Sequence, residues 1–398
     1  MATFTVDFLG CKVSQTDGQE IRERLLADGH IEARELSDVA VVNTCCVTQE
    51  AVRKSRQAAR RAARSAKRVY VTGCGANLAG DAFAGLPENV TVVGLPGERT
   101  PAFVARDVGA IGCVRADIGV DRIRAFVKIQ DGCSFGCAFC VIPQVRGASR
   151  SRPVETVLGE VRRRVEQGHR EVVLTGINLG CYRDRGAGFD LARLVREVGA
   201  ARGLERLRLS SIEVNHLSEG LIAAMRETPI VSPHLHVPLQ SGDDRVLAAM
   251  GRRYTSATYL RRVARAEGFN LTADVIVGFP NEDEAAFAQT LTVVEEAGLT
   301  KVHVFPYSPR PGTRTAASDT VPPAVKKARS ARLRAQSAEA CRRWWRGKVG
   351  SEDAVLVDRP GRGYGDDYTP WLVNAPVGEL VRVKAVDVSE EGVVGVPV

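Results

Sequence analysis

The sequence predicts an α/β protein in three parts: a small N-terminal parallel α/β domain, a central partial (β/α)6 barrel and a small C-terminal antiparallel β-barrel. Three observations carry this prediction. Short apolar runs alternate with helix-period stretches as far as about residue 307, a Pro- and Gly-bearing interruption falls at 96–122, and after about residue 345 apolar and polar residues alternate between turn residues. The length of 398 residues suits two or three domains. With 44% hydrophobic and 26% charged residues, the composition excludes a disordered, collagen-like or disulfide-stapled small protein. No apolar run approaches the roughly 18 residues of a membrane span, and the start MATFTVDFLG lacks the basic and long apolar regions of a signal peptide. The expectation is a cytoplasmic protein without a membrane partner.

Taken in order, TFTVDFLG, VAVVNT and RVYVTG read as three strands separated by helices, the order of a small parallel sheet. Each run leads into a cysteine, Cys11, Cys45 and Cys74. All three therefore fall at carboxyl ends of parallel strands, where open α/β sheets bind ligands, and are expected to converge. The interruption at 96–122 sets the expected first boundary, giving a domain over 1–118.

From Arg124, six strand-like runs follow: RAFVKIQ, EVVLTG, RLRLSSI, HLHVPL, TADVIVGF and KVHVFPY. Helical stretches separate most of them, which predicts a parallel barrel of six units, with its chemistry in the loops at the carboxyl-terminal face. This central domain is expected over 119–343. A basic, helix-like stretch over 324–348 carries Lys326, Lys327, Arg329, Arg332, Arg334, Arg342, Arg343, Arg346 and Lys348, with Glu339 its one acid. Beyond it, AVLVDRPGRGYGDDYTPWLV and ELVRVKAVDVSEEGVVGV have the alternation of short antiparallel strands, and a barrel is expected over 344–398.

The net charge of +8 leans toward polyanionic partners. Arg53, Lys54, Arg56, Arg60, Arg61, Arg64, Lys67 and Arg68 lie in a predicted helix over 52–68 with no acid among them, so one face could follow a phosphate backbone. Arg146, Arg150 and Arg152 add to the basic character further on. After residue 348 acids outnumber bases, with Asp366, Asp367, Glu390 and Glu391 among them. RNA binding there would need Tyr364, Tyr368 and Trp371 to stack on bases.

Ten cysteines without an export signal point to metal or catalysis rather than disulfides. Cys133, Cys137 and Cys140 form a Cys-x3-Cys-x2-Cys loop after the first barrel strand. Three thiolates on such a loop can hold three irons of a cubic [4Fe-4S] cluster and leave the fourth iron open to a non-protein ligand. A zinc knuckle would need a fourth Cys or His nearby, and none follows closely. Cys46, Cys113, Cys181 and Cys341 read as buried or incidental.

This loop, with Phe139 before its last cysteine, closely resembles that of radical S-adenosylmethionine enzymes. The whole chain is similar to their methylthiotransferase family through its domain order, its N-terminal cysteine trio and the phrases GCKVSQ, VVNTCCVT and VTGC. Its last part resembles the RNA-binding TRAM domain. The resemblance implies that Cys11, Cys45 and Cys74 hold an auxiliary [4Fe-4S] cluster that delivers sulfur. Spacing leaves Cys45 and Cys46 open as alternatives; the family phrase NTC favours Cys45. It further implies binding of S-adenosylmethionine, two molecules per turnover, near Phe139, Thr175, Gly176, Asn178, Ser210, Ser211, Glu213, Gln240 and Gly278. Ser241 and Arg310 lie in neighbouring loops.

Within the family, GCKVSQ, VNTCCVTQEAVRKSRQ and KIQDGCSFGCAFCVIPQVRGASRSR are most similar to the branch that methylthiolates threonylcarbamoyladenosine in the tRNA anticodon loop. The implied chemistry is cleavage of S-adenosylmethionine to a 5′-deoxyadenosyl radical, hydrogen abstraction from carbon 2 of adenine, sulfur addition and methyl transfer. An electron donor of flavodoxin or ferredoxin type and a sulfur donor are implied partners. The alternatives are the isopentenyladenosine branch, methylthiolation of a ribosomal-protein aspartate, and a non-catalytic iron-sulfur RNA-binding module.

Overall fold

A computed structural model describes residues 1–78, 82–94, 99–109 and 123–398. The expected boundary at 118/119, most of the 96–122 interruption and Cys113 lie outside the described residues. The chain divides into two compact units. One gathers the described N-terminal residues with Gln130–Arg150 and Ser308–Ser318; the other gathers Ser151–Tyr307 and Asp319–Val398 with the strand residues up to Ile129.

The first unit holds β1 (Thr3–Phe8), α1 (Lys12–Ala27), β2 (Ile31–Glu32), β3 (Ser37–Thr44), α2 (Gln49–Ser65), β4 (Ala66–Gly73), β5 (Val90–Val92) and α3 (Arg99–Val108). Its sheet has the order β2-β1-β3-β4-β5 with every pair parallel, so β1, β3 and β4 are neighbours. Five strands stand where three are expected, because the two edge strands are too short to leave an apolar run. The central β3, SDVAVVNT, is apolar on both faces because helices cover both. On one face Ala58, Ala59 and Ala62 of α2 pack on Val42, Val69 and Val71; on the other Ile21 and Leu25 of α1 pack on Phe4, Val39, Val41 and Tyr70.

The basic helix differs from its expected bounds. Thr48 caps α2 by accepting from Ala51 N at 3.0 Å, which sets the start at Gln49, and the chain turns into β4 at Ala66. Lys67 and Arg68 are therefore strand residues, and Lys67 pairs with Asp38 at 2.8 Å. Glu50 enters the first turn and pairs with Arg53 at 2.6 Å.

The second unit is built on β6 (Arg124–Asp131), β8 (Glu171–Gly176), β11 (Arg206–Leu209), β12 (His234–His236), β13 (Asn270–Val277) and β14 (Lys301–Pro306), the six expected barrel strands. In sequence between β6 and β8 come α4 (Ile142–Arg146), which belongs to the first unit, then β7 (Arg150–Ser151) and α5 (Val154–Glu166). The hairpin β9 (Arg183–Asp184) and β10 (Phe189–Asp190) precedes α6 (Leu191–Gly199). The remaining helices are α7 (Glu219–Glu227), α8 (Asp244–Ala249), α9 (Ser256–Val263) and α10 (Glu284–Glu296). Sheets of order β11-β8-β6-β7 and β12-β13-β14 are joined through a Leu207–Val231 bridge into one arc. The core fills with Val127, Ile129, Val172, Leu174, Leu207, Leu235, Val275 and Val277. Asp190, Ser218, Asp243, Thr255 and Asp283 cap α6 to α10 in turn, so each helix start is written locally in the sequence.

Helix α11 (Pro323–Arg346) opens with proline, whose fixed φ suits a first helical position. Two of its basic residues face inward: Lys326 pairs with Asp319 at 2.5 Å and Arg329 with Glu282 at 2.8 Å. It leads to β15 (Glu352–Arg359), β16 (Arg362–Tyr364), β17 (Pro370–Val373), β18 (Leu380–Val388) and β19 (Val393–Pro397), a closed barrel of order β15-β16-β17-β19-β18. Its pairs are antiparallel except β17 with β19. Trp371 is 1% exposed and fills this barrel with Val355, Val357, Val383 and Val393, so it is core and not a stacking platform for bases.

Tyr364 and Tyr368 also have structural work. They stack on each other at 4.8 Å and lie under Arg124 and Arg208. These arginines, with Arg206, surround the fully buried Glu171 at the amino ends of β6, β8 and β11. Arg206 continues to Asp366 at 2.5 Å and to the Ala354 carbonyl at 2.6 Å, while Arg208 reaches the Gly365 carbonyl at 2.7 Å. Asp367 pairs with Lys348 at 2.7 Å. The acids of the C-terminal barrel are thus partly spent on fastening it to the strand ends opposite the carboxyl-terminal face. Among the described residues no helix is long and apolar enough to cross a membrane.

Candidate active site and cluster-binding cysteines

The parallel order β1-β3-β4 delivers the N-terminal cysteines to one edge of the first unit. Cys11 precedes α1, Cys45 follows β3 directly and Cys74 follows β4 directly. Glycine makes the approach possible: Gly10 has φ +125°, and a Cβ there would stand 3.2 Å from Cys45 Sγ. The leading charged neighbours of the Cys45 thiol include Cys11 and Cys74, and burial pushes it up to about 11. The Cys46 thiol also meets this group, hydrogen-bonded to the thiol of Cys74. Cys46 is fully buried with Cys74, Val141 and Val145, and its carbonyl accepts from Arg310 Nη2 at 2.5 Å. Arg310, 3% exposed, thus ties the 308–318 loop to the cysteine pair.

The Cys133 to Cys140 loop is pinned at both ends. Cys133 N donates to the Gly147 carbonyl at 3.0 Å, and the Gln130 amide donates to the Gly132 carbonyl at 2.7 Å and to Ser149 Oγ at 2.9 Å. From the 308–318 segment, Arg314 donates to the Gly136 carbonyl at 2.7 Å and Thr315 Oγ1 to the Ala138 carbonyl at 3.2 Å. Cys133, Cys137, Phe139 and Cys140 are half-buried, and a Cβ at Gly136 would meet open space. The sequence singles out the cysteines here, but not these remote loop partners.

The two trios share this unit, and Arg146 reaches Cys74 of the first and Asp131 just before the second. It is 4% exposed, so it is not part of an RNA-facing surface; it donates to Cys74 Sγ at 2.9 Å, to Asp131 at 3.0 Å and to Asp17 at 2.6 Å. Arg150 is exposed, and Arg152 pairs with Glu160 at 2.7 Å.

Among the described residues no three His, Cys, Asp or Glu side chains surround a point as ligands of one metal ion. A cubane attaches each thiolate to a different iron and spreads its ligands further. All-thiol donor sets, glycine relief beside the N-terminal trio and open space beside the loop trio fit two such clusters.

In the second unit, the remaining candidates fall at carboxyl ends of barrel strands. Thr175, 1% exposed, and Gly176 end β8, with Asn178 beyond them. Ser210 and the exposed Ser211 follow β11; Ser210 Oγ is buried without a hydrogen-bond partner among the described residues. Glu213 is engaged, accepting from Asn215 N at 2.8 Å and pairing with Arg252 at 3.5 Å. Gln240 has φ 66°, and its backbone bridges to β13. Gly278 has φ 71°, and the close approach expected there is made by the Lys326 stem, which a Cβ would overlap. Ser241 is buried against Thr290. Cys181 lies 3.3 Å from His216 Nε2 on adjacent loops, a pairing with no sequence signal.

On α2, Arg53, Lys54, Arg60, Arg61 and Arg64 are exposed, and Arg53, Arg56 and Arg60 line a groove of about 390 Å³.

The Radical SAM superfamily profile matches residues 127–294, and that of Uncharacterized protein family UPF0004 matches residues 3–94. Over 99% of its length the chain is 33% identical to the threonylcarbamoyladenosine tRNA methylthiotransferase MtaB of Thermotoga maritima, covering 96% of that protein. Over 94% it is 35% identical to the tRNA-2-methylthio-N(6)-dimethylallyladenosine synthase of Cereibacter sphaeroides, covering 94%. Its fold is similar to that of the radical S-adenosylmethionine methyltransferase TsrM from Kitasatospora setae, with TM-score 0.59 and 15% identity over 79% of this chain and 75% of that one. The profile over the barrel, the full-length relatives and the two cysteine trios agree: the chain belongs to the radical S-adenosylmethionine methylthiotransferase family.

Proposed function

We propose that this enzyme converts N6-threonylcarbamoyladenosine, just 3′ of the tRNA anticodon, to its 2-methylthio derivative. The observation that carries the reading is the pair of thiol trios in one compact unit, each on glycine-bearing loops. Cys133, Cys137 and Cys140 would hold one cluster, and Cys11, Cys45 and Cys74 the other. When bound, the two clusters and S-adenosylmethionine supply the radical, the sulfur and the methyl group. The chain's own part is to hold and aim them. In the second unit Thr175, Gly176, Asn178, Ser210, Ser211, Glu213 and Gln240 would contact S-adenosylmethionine, with the buried Ser210 hydroxyl available as a donor to it.

The exposed arginines of α2 receive the tRNA backbone, and the anticodon loop presents an unstacked base more cheaply than a duplex does. The C-terminal barrel over 344–398 is read as a TRAM-like module; its acids outnumber its bases and its aromatic residues are committed within the chain, so the α2 arginines carry the backbone contact. The domain bounds 1–118, 119–343 and 344–398 follow from the same reading. An electron donor of flavodoxin or ferredoxin type, a separate sulfur donor and a cytoplasmic location complete it.

Identity does not separate the two substrates, at 33% to one relative and 35% to the other. The phrases GCKVSQ and VNTCCVTQ favour threonylcarbamoyladenosine. The test is mass spectrometry of tRNA nucleosides from cells lacking the gene, beside the parent and a complemented strain. Loss of methylthio-threonylcarbamoyladenosine with accumulation of its precursor is expected. Loss of the methylthio group from the isopentenyl nucleoside instead would overturn the substrate.

A further inference from the structure

A buried guanidinium must use its five N–H donors and find counter-charge, or its desolvation goes uncompensated. Arg146 meets this demand in a way that ties the two cysteine sites together. Its Nη1 takes both oxygens of Asp131 at 3.0 and 3.1 Å, its Nη2 takes Asp17 at 2.6 Å, and its Nε is aimed at Cys74 Sγ at 2.9 Å. Asp17 lies on the helix that starts beside Cys11. Asp131 also accepts from Gly132 N at 2.7 Å, just before the Cys133 loop, and Arg146 itself follows that loop at the end of α4. One side chain therefore contacts a ligand candidate of one cluster and the carboxylate that precedes the loop carrying the other.

Two carboxylates would suffice to pair a structural arginine. The third contact is directed at a thiol, and hydrogen bonds to ligating sulfur are a principal means by which proteins set iron-sulfur potentials, because they withdraw electron density and favour the reduced cluster. We propose that Arg146 is a positioning residue that raises the reduction potential of the cluster held by Cys11, Cys45 and Cys74 through its N–H to the Cys74 sulfur. Asp17 opposes it by adding negative charge beside the same guanidinium. The proposal rests on the reading of Cys74 as a cluster ligand.

The test uses the full chain with Cys133, Cys137 and Cys140 replaced by alanine, reconstituted with iron and sulfide so that only the N-terminal cluster remains. Its midpoint potential is followed by electron paramagnetic resonance during redox titration. Arg146→Lys keeps a cation near the acids but loses the fork, and a shift to more negative potential is expected. Asp17→Asn keeps the N–H to sulfur and removes a charge, and a shift to more positive potential is expected. Opposite shifts at unchanged iron content support tuning; no shift, or two shifts of one sign, overturns it. Where Arg146→Lys fails to hold four irons, Asp17→Asn decides alone: a positive shift supports the proposal and any other result overturns it. If the parent triple-alanine chain binds no cluster, the ligand reading itself falls and the role of Arg146 falls with it.

Discussion

Cys45 and Cys46 are sequence neighbours with different surroundings. Cys45 stands beside Gly10 with Cys11 and Cys74 nearby, whereas Cys46 is packed with Cys74, Val141 and Val145 and its thiol is hydrogen-bonded to that of Cys74. With Cys45 as the ligand, as the phrase NTC favours, Cys45→Ala is expected to cut the iron held by the N-terminal site, while Cys46→Ala retains it and costs on the order of 1 kcal/mol of stability. Iron analysis and thermal unfolding separate the two outcomes. The cysteine positions were legible because each trio follows strand ends or tight spacing. The place of Arg146 was not: its acids and its thiol partner lie 15, 129 and 72 residues away, and only folding reveals that a basic residue in a basic stretch is buried.

The elements were legible where a period and a cap coincide. The six barrel strands fall where their apolar runs lie, and serine, threonine and aspartate caps mark the helix starts. The two-residue strand β2 and three-residue β5 escaped because they carry no period. Helix α2 began early because Thr48 caps it, which brought Glu50 onto its first turn. Arg60 and Arg64 remain exposed and share a face. Reversing both to glutamate is expected to weaken tRNA binding and flatten the slope of log affinity against log salt by roughly 1.4 to 1.8, the share of two phosphate contacts. An unchanged slope would remove α2 from the tRNA-binding surface. Within the C-terminal barrel, Trp371→Ala is expected to cost about 3–5 kcal/mol, since the indole is the largest buried group there. Denaturant unfolding measures it.

At the scale of the molecule, the barrel core and the C-terminal barrel are fastened through one buried carboxylate. Burial raises the Glu171 carboxyl, yet Arg208, Arg124 and Arg206 together outweigh that and hold it below its ordinary value. A carboxyl depressed in the folded state stabilises the fold at pH above its unfolded value of about 4.3, and that contribution is lost as pH falls through the folded value. Glu171→Gln, which removes the carboxylate shared by Arg124 and Arg208 and leaves Arg206 with Asp366 alone, is expected to cost about 3–5 kcal/mol near neutrality, with the gap to the parent closing in acid. Unfolding curves across pH test this. Such a network has no sequence signal, because its arginines lie inside runs that read only as strands and its aromatic partners read as RNA contacts. The division of labour between the two cysteine trios is the central claim, and one assay reaches it: quantifying deoxyadenosine and methylthio-nucleoside together in reactions of the reconstituted parent, Cys137→Ala and Cys74→Ala chains with tRNA. Neither product is expected from Cys137→Ala, and deoxyadenosine without methylthio-nucleoside from Cys74→Ala; deoxyadenosine from Cys137→Ala at the parental rate, or full methylthiolation by Cys74→Ala, would contradict it.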